Sequence, residues 1–303
     1  MHSNRVVVIG SMNYDMFLQV DALPKVGETY PAKTMQTAAG GKGANQAVQC
    51  ARLGMETTLV GAVGRDTMGE YLRERLSAAG VSTTHVRSVD APTGLGVVHA
   101  LPDGTVMATI VQGANAQVLP DQVDAAEPLI RDAFAVLLQL EIPIPTVLHA
   151  LRVAKRHGVR AILNAAPAIA LPEDALRLCD TVIVNEVEAS YYMGTTIRTV
   201  EEACRAILLF VERYATKAVF TLGALGAVAC DGGAAIHIPA VPTQVVETTG
   251  AGDSFVGGYV KAISAGMAFV DALRFAARCS AVSISRVGGQ DAMPTLAQVE
   301  KLP

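Results

Sequence analysis

Short apolar segments that favour β-strands alternate along this chain with segments that have the hydrophobic spacing of α-helices. Residues 6–10 form a β-branched run that ends in glycine, which predicts a buried strand. Residues 43–53 carry small apolar residues at i, i+3, i+4 and i+7, which predicts a helix. Further strands are predicted at 58–63, 135–141, 160–163, 181–184 and 218–222, and further helices at 67–79, 145–157, 173–178 and 200–214. The alternation predicts an α/β fold with a central, mostly parallel β-sheet flanked by helices on both faces.

Two segments interrupt this alternation. Residues 16–37 contain two prolines and no helical pattern, and residues 93–112 predict a hairpin around a Pro102-Asp103-Gly104 turn. A sheet of this size needs another surface to be stable. We therefore expect a small β-sheet lid formed by 16–37 and 93–112, and a core formed by 1–15, 38–92 and 113–303. The lid would close over the core, pair with a second subunit, or do both.

Composition excludes several classes of protein. The 303 residues carry a formal net charge of -4 without a Lys/Arg cluster, which argues against nucleic-acid binding. No apolar run reaches the length of about 18 residues that a membrane-spanning helix needs. The five cysteines include no C-x-x-C pair, so neither a disulfide framework nor a zinc site is expected. These features predict a cytoplasmic protein that does not bind membranes.

The strongest chemical signal is the segment Glu247-Thr248-Thr249-Gly250-Ala251-Gly252-Asp253. Small residues precede a helix predicted to begin near Asp253, so the backbone N–H groups of 250–253 can converge on one anion at the helix N-terminus. Such a cradle suits a phosphoryl group during transfer, and Asp253 could accept the proton of a substrate hydroxyl. The alternative interpretation is an ordinary glycine-rich loop with Asp253 as the helix N-cap.

A second glycine-rich segment, Gly40-Gly41-Lys42-Gly43-Ala44-Asn45-Gln46-Ala47, opens the first predicted helix. It is not a Walker A loop, because glycine follows Lys42 where that motif has Ser or Thr. It is not a dinucleotide fingerprint either, because Gln46 stands at the position of the third glycine. The exposed backbone, Lys42 and Asn45 could bind hydroxyls or an anion, or the segment could be a tight turn with a solvated lysine.

Polar residues follow several predicted strands, where ligands bind in open α/β sheets. Asn13 and Asp15 follow the first strand, and their short side chains suit adjacent hydroxyl groups. Glu141 ends a later strand, where a carboxylate is costly unless it is solvated or bound. The alternative interpretation of Asn13 and Asp15 is that their side chains cap the loop at the end of the strand.

Two later strands end in residues that suit a nucleotide and its metal. Asn185 and Glu188 follow one of them and could lie near Mg²⁺, although an acidic residue at a helix start also compensates the helix dipole. Thr221, Gly223 and Gly226 follow the next strand, and these glycines would let a nucleotide approach the backbone. A plain β-hairpin explains that second segment equally well.

Together these motifs resemble the ribokinase family of sugar kinases over essentially the whole chain. The two glycine-rich segments match the two signatures of that family, and Gly113-Ala114-Asn115-Ala116 adds to the likeness. The resemblance implies a Rossmann-like three-layer fold and a lid that serves as a homodimer contact. It also implies ATP-dependent phosphorylation of the C5 hydroxyl of D-ribose to ribose 5-phosphate, with Mg²⁺ and K⁺ as cofactors.

The resemblance assigns roles to individual residues. It implies that Asp253 is the catalytic base and that Gly250, Ala251 and Gly252 form the anion hole. The expected sugar-binding residues are Asn13, Asp15, Gly41, Lys42, Asn45, Glu141 and Asp253. The expected ATP contacts are Asn185, Thr221, Gly223, Gly226 and Gly252, with Mg²⁺ near Asn185 and Glu188. The expected monovalent cation site comprises Glu247, Thr249, Ser283 and Gly288.

Three positions depart from the pattern of the family. Glu247 stands where aspartate is usual, Ala292 stands where a small hydroxyl residue is common, and Ala165 stands where proline is common. The first two bear on K⁺ activation and leave the phosphoryl chemistry intact. Two other functions remain open: a kinase of another sugar or of a nucleoside, and a sugar-binding regulatory protein without catalysis. A dehydrogenase is disfavoured by Gln46.

Overall fold

The computed structural model describes residues 4–102 and 106–302, which form a nine-stranded sheet and a four-stranded sheet. The large sheet has the order β13-β12-β11-β10-β9-β8-β1-β4-β5. Its strands are β1 (Arg5–Ile9), β4 (Glu56–Gly64), β5 (Val81–Val89), β8 (Ala135–Leu138), β9 (Arg160–Asn164), β10 (Thr181–Asn185), β11 (Lys217–Thr221), β12 (Ala227–Cys230) and β13 (Ile236–Ile238). All neighbouring pairs from β5 to β11 are parallel. Strands β12 and β13 extend the β11 edge of the sheet with antiparallel pairing. The predicted α/β class with a mostly parallel sheet is confirmed.

Helices cover both faces of this sheet. On one face lie α3 (Pro120–Arg131), α4 (Ile144–Arg156), α5 (Glu173–Arg177), α6 (Glu186–Met193) and α7 (Val200–Tyr214). On the other lie α1 (Lys42–Arg52), α2 (Thr67–Ala78), α8 (Ala251–Ser264) and α9 (Phe269–Ile284), followed by the short α10 (Gly289–Ala292) and α11 (Leu296–Glu300). None of the helices in these described ranges is long and apolar enough to cross a membrane.

The period of two in the strands separates two hydrophobic layers. In β1, Val7 and Ile9 pack into the layer beneath α3 and α4, while Val6 and Val8 pack into the layer beneath α1 and α8. Successive side chains of a strand point to opposite faces, so a strand buried on both sides reads as a continuous apolar run. This is why the central strands could be predicted from the sequence.

The chain changes direction within the sheet at β1, and this places the site. From β1 the chain adds β4 and β5 on one side, then crosses over to add β8 and the later strands on the other. Such a switch point leaves a crevice beyond the carboxyl ends of the two central strands. Glu141 lies there, but β8 ends at Leu138, so the prediction that Glu141 ends the strand was wrong by three residues.

The small sheet has the order β3-β2-β6-β7 and stands over that crevice. Its strands are β2 (Asn13–Gln19), β3 (Thr34–Gly40), β6 (Gly94–Ala100) and β7 (Val106–Val111). The predicted hairpin corresponds to β6 and β7, while Asp103 and Gly104 of its turn lie outside the described residues. The first strand pair reaches from Asn13 to Gly40, beyond the predicted limits of 16 and 37. The division into a core and a lid remains a prediction.

Two helix and strand predictions need correction. Helix α8 begins at Ala251, with Gly250 as its N-cap at φ 76°, so the start predicted near Asp253 was two residues late. The edge strands β5 and β13 were not predicted. Strand β5 carries Ser, Thr, His and Arg on its half-exposed positions, so it lacks the apolar run of a central strand.

The first turn of α1 lies directly on the end of β1 because Gly43 has no side chain. A Cβ atom at Gly43 would lie 2.5 Å from the backbone nitrogen of Ser11 and 2.6 Å from the carbonyl carbon of Gly10. Both neighbours are backbone atoms, so neither can move aside without shifting the strand. The glycine-rich segment therefore serves the packing of α1 as well as any ligand.

We predict that Gly43→Ala lowers the free energy of unfolding by about 1–3 kcal/mol, because the added methyl overpacks the contact between α1 and β1. Urea unfolding measures this directly. Gly252→Ala is a matched control, since Gly252 is also the second residue of a helix and its Cβ would meet no atom within 4 Å. If both variants were equally stable, the close approach at Gly43 would be disproved.

Candidate active site

Asp253 lies in the first turn of α8 with only 7% of its surface exposed. Its carboxylate does not cap the helix. Instead, Oδ2 accepts a hydrogen bond from Asn45 Nδ2 at 2.9 Å, and Oδ1 accepts one from Gln46 Nε2 at 2.9 Å. Burial raises the pKa of Asp253, and the Lys42 ammonium and these two amide donors counteract that rise. The N-cap interpretation of Asp253 is therefore wrong.

The ammonium of Lys42, the first residue of α1, balances the acidic groups of the site. Burial alone lowers the pKa of Lys42. Asp253, Glu141 and Glu188 outweigh that effect, so the pKa lies above its ordinary value and the side chain is charged. A solvated lysine in a plain turn does not describe this environment.

Glu141 connects the segment after β1 to the start of α1 through hydrogen bonds. Its Oε2 accepts hydrogen bonds from Ser11 Oγ at 2.5 Å and from the backbone N–H of Lys42 at 3.0 Å. Ser11 Oγ in turn accepts from the N–H of Gly43 at 3.3 Å. The carboxylate therefore compensates the start of α1 and leaves Oε1 available at the edge of a cavity.

That cavity has a volume of about 310 Å³ and lies between the small sheet and the crevice. Asn13, Asn115, Ile110 and Glu141 are among its lining residues. Asn115 Nδ2 donates to Asn13 Oδ1 at 2.7 Å and to the carbonyl of Met12 at 3.1 Å, which fixes both amides. Polar groups at the rim of a partly apolar cavity are suited to a small hydroxylated ligand.

Asp15 stands on β2 between two glycines of the neighbouring strands. A Cβ at Gly40 or at Gly96 would lie 1.9 Å or 2.2 Å from its carboxylate oxygens, so only glycine fits at either position. Burial, together with the negative charges of Glu141 and Asp253, raises the pKa of Asp15 to about 7. The small sheet thus places a second carboxyl group near Asp253.

A second cavity, of about 450 Å³, is lined by Asp253. Lys42, Asp253 and the small residues at the start of α8 border it on one side, and Asn185 and Glu188 border it on the other. The backbone of Gly250, Ala251 and Gly252 opens into it, as the sequence predicted for an anion cradle.

Asn185 and Glu188 form the capping box of α6 at the edge of this second cavity. Asn185 Oδ1 accepts from the N–H groups of Val187 and Glu188, and both Glu188 oxygens accept from Asn185. Burial raises the pKa of Glu188, while its hydrogen bonds with Asn185 and the charge of Lys42 act against that rise. The geometry is compatible with both interpretations of this pair, a position near Mg²⁺ and a helix cap, since the pair caps α6 and lines the cavity.

A narrow apolar cleft of about 150 Å³ continues from the second cavity. The two share the lining residues Thr221, Gly223, Ala251 and Gly252. Gly226 lines the cleft but not the second cavity. The segment between β11 and β12 is one turn of 3₁₀ helix, Gly223–Leu225, rather than a plain hairpin turn. The remaining walls of the cleft include Val241, Phe255 and Ile284, which suit the flat apolar face of a nucleoside base.

The predicted cation residues gather around the loop that follows α9. Glu247 Oε2 accepts from the N–H of Gly288 at 2.8 Å, and a Cβ at the next residue, Gly289, would meet the Thr249 side chain at 3.5 Å. Ser283 is 1% exposed, and its hydroxyl has no hydrogen-bond partner among the described residues. The longer Glu247 carboxylate therefore reaches this loop.

Sequence reasoning missed several polar residues next to Asp253. Gln139 follows β8 and Asn164 ends β9, and both contact Gln46, while Gln290 contacts Asn45. Ser11, which follows β1, was also missed. The available signal was a polar residue at the carboxyl end of a buried strand, which Gln139, Asn164 and Ser11 share.

Comparisons with known proteins agree with this geometry. A family model described as pfkB family carbohydrate kinase matches residues 3–296. The ribokinase of Haemophilus influenzae is 33% identical over 96% of this chain and 95% of its own length, and that of Bacillus subtilis is 36% identical over 98% of each. A solved structure of Arabidopsis thaliana ribokinase complexed with ribose and ATP matches with a TM-score of 0.92 at 36% identity, covering 99% of this chain and 98% of the other. The chain is a member of the pfkB family of carbohydrate kinases.

Proposed function

We propose that this protein transfers the γ-phosphoryl group of ATP to the C5 hydroxyl of D-ribose, with Asp253 as the general base. The observation that carries the proposal is the position of Asp253, a buried carboxylate that lines the phosphate-side cavity and lies close enough to Glu141, which lines the other cavity, to be affected by its charge. The sugar-sized cavity lies on the side of Glu141 and Asn13, and the anion cradle lies on the side of Gly250. The relatives named above act on or bind ribose, which supports the choice of acceptor.

In this mechanism the sugar cavity orients the acceptor. Asn13, Asp15, Gly41, Lys42, Asn45 and Glu141 hold the ring hydroxyls. The C5 hydroxyl then approaches Asp253, which accepts its proton as the oxygen attacks the γ-phosphorus and the bond from that phosphorus to the β,γ-bridging oxygen breaks, releasing ADP. A positioned base of this kind contributes on the order of 10²–10⁴ to the rate.

The other cavity stabilises the charge on the transferring group. Gly250, Ala251, Gly252 and Asp253 line it at the start of α8, so the positive end of the helix dipole lies at a bound phosphate without a reorganisation cost, and the positive charge of Lys42 lies at its border. Thr221, Gly223 and Gly226 line the path to the apolar cleft, which receives the base of ATP. In-line transfer therefore requires both substrates to meet at Asp253.

Mg²⁺ fits this site as a metal bound largely by substrate. Within residues 4–102 and 106–302, no group of three or more Asp, Glu, His or Cys residues could hold a metal ion. Mg²⁺ commonly keeps several waters and binds through one or two carboxylates together with substrate phosphates. Asn185 and Glu188 at the rim of the phosphate cavity match that arrangement. The bound ion would neutralise charge on the ATP phosphates.

A monovalent cation fits the loop after α9. The unpartnered Ser283 hydroxyl, the Glu247 carboxylate and the backbone around Gly288 supply the oxygen ligands that such an ion prefers. Glu247 immediately precedes the segment that forms the anion cradle. A cation bound here would stabilise the conformation of the cradle. In the cell we expect this cation to be K⁺.

The function is tested by ADP release with Mg-ATP and ribose, for the wild type and for Asp253→Asn. We expect ribose-dependent turnover that falls by about 10²–10⁴ in the variant, because the hydroxyl loses its proton acceptor. Asp231→Asn, in a surface turn away from both cavities, should retain wild-type turnover. K⁺ should raise the turnover of the wild type more than that of Glu247→Gln.

Each other outcome of this assay has a defined meaning. Turnover with fructose or adenosine instead of ribose would keep the mechanism and change the acceptor. Ribose binding without turnover would favour the sugar-binding regulatory protein. Full activity in Asp253→Asn would remove Asp253 from its proposed role.

Asp15 should make the stability of the protein depend on pH. Its pKa is about 7 in the folded protein, against an ordinary value of 3.8, so its ionisation opposes folding as pH rises from about 4 to about 7. Asp15→Asn should therefore raise the free energy of unfolding at pH 8 by on the order of 1–3 kcal/mol and have little effect at pH 4.

Thermal unfolding of Asp15→Asn at several pH values measures this effect. Asp90→Asn, at an exposed position, is the control and should behave like the wild type throughout. The same Asp15→Asn variant should bind ribose more weakly at pH 8, because it loses the ionised acceptor. An increase in stability that did not depend on pH would contradict the assignment.

We also propose that two copies of the chain associate through the small sheet. Met35, Leu18, His99 and Met107 lie opposite one another across its four strands, so they share one face. Met35 is 58% exposed and Met107 is 51% exposed. A row with three apolar side chains on a small sheet favours an equivalent surface as its partner, in a two-fold symmetric contact.

Sedimentation velocity tests this association. The wild type should sediment as a dimer, and Met35→Asp should sediment as a monomer, because the contact would bury an unpaired charge. Leu209→Asp is the matched control, since Leu209 on α7 is 57% exposed and lies outside the small sheet. A monomeric wild type would refute the proposal.

A further inference from the structure

The hydrogen bonds to Asp253 come from amides that are themselves held in one orientation. Gln46 Nε2 donates to Asp253 Oδ1 at 2.9 Å and to Asn164 Oδ1 at 3.0 Å. Gln139 Nε2 donates to Gln46 Oε1 at 2.6 Å. Gln46 and Gln139 are fully buried, so water cannot replace these partners.

The direction of this chain of amides is determined by a backbone carbonyl. Asn164 Nδ2 donates to the carbonyl oxygen of Ile183 at 3.0 Å, so Asn164 must turn its own oxygen towards Gln46. A reversed Gln46 amide would place its oxygen against two acceptors and its NH₂ group against the donor of Gln139. Gln46 therefore presents a donor to Asp253 and cannot present an acceptor.

A second chain of amides reaches the other carboxylate oxygen. Gln290 Nε2 donates to Asn45 Oδ1 at 3.1 Å, which leaves the Asn45 NH₂ group directed at Asp253 Oδ2. Gln290 belongs to α10, in the same loop region as Gly288. Each oxygen of Asp253 thus receives a donor whose orientation is fixed by a further glutamine.

We propose that Gln46 and Gln139 are positioning residues for the base, which fix the plane of the Asp253 carboxylate before the sugar binds. Neither residue lines the sugar or phosphate cavity, so neither needs to touch a substrate. The inference rests on the proposed role of Asp253. It adds that the reactivity of the base depends on amides behind it.

Two consequences distinguish positioning from a purely structural role. Loss of the Gln46 donor removes a hydrogen bond that favours the charged carboxylate, so the acid limb of the kcat profile should move to higher pH. The charged groups that face Asp253 are Lys42, Glu141 and Asp15, and all remain unchanged in the variants. The sugar contacts also remain, so KM should change much less than kcat.

The test uses Gln46→Met and Gln139→Met, which keep the volume of the side chain and remove its amide. We expect kcat to fall at least about tenfold in Gln46→Met and several-fold in Gln139→Met, with KM for ribose within about threefold of the wild type. The acid limb should shift upwards most in Gln46→Met.

Gln49→Met is the matched control. Gln49 lies one turn further along α1, is equally buried, and bonds Ser254 Oγ and the carbonyl of Pro294 rather than Asp253. It should lose stability while keeping the kcat and the pH profile of the wild type. If Gln46→Met and Gln139→Met matched Gln49→Met in kcat and pH profile, the inference would be overturned.

Two further arms keep the result interpretable. Should Gln46→Met fail to fold, Gln139→Met decides the question alone, because it leaves the contact between Gln46 and Asp253 in place and removes only the donor that orients it. Asp253→Asn is assayed alongside. If Asp253→Asn kept its turnover, the proposed base would fail; if only the glutamine variants were normal, the base would stand and the positioning role would fail.

Discussion

The burial of the Asp253 carboxylate creates an electrostatic requirement that the surrounding structure has to meet. A charge removed from water costs on the order of several kcal/mol unless hydrogen bonds and opposite charge compensate it. Asn45 and Gln46 supply the hydrogen bonds and Lys42 supplies the charge, and all three lie in the first two turns of α1. The placement of one helix start against α8 therefore determines whether Asp253 can be ionised.

The placement of α1 against α8 depends in turn on glycine residues. Gly43 lets α1 lie on the end of β1, and Gly257 lets α8 lie against Gln49, where a Cβ would come within 2.5 Å of the glutamine side chain. The glycines thus bring the donors of one helix to the carboxylate of the other. Glu141, which accepts from the Lys42 N–H, ties the same helix start to the end of β8.

How much of this could be predicted follows from the range of each interaction. The central strands and most of the helices are local patterns, and the two glycine-rich segments carry their chemistry within a few residues, so these were predicted, whereas helices α3 and α9 were not. The edge strand β5 was not, because its exposed positions are polar. Gln139 and Asn164 were not either, because their contacts with Gln46 exist only once β8 and β9 lie side by side beneath α1. The extent of β2 was missed for a similar reason, since Asn13 pairs with both Gly40 and Gly94.

The charge of the site also bears on which molecules it can hold. Asp15, Glu141 and Asp253 bring three carboxyl groups together, and the Lys42 ammonium lies near Glu141 and Asp253. Such an environment is rich in hydrogen-bond acceptors and suits a neutral polyol, whose hydroxyls are donors. Once the phosphoryl group is attached, the product carries negative charge beside the same carboxylates, and like charges repel strongly where water is partly excluded. If this site binds the acceptor sugar as we propose, the same charges weaken the binding of the phosphorylated product, and this difference favours release after each turnover.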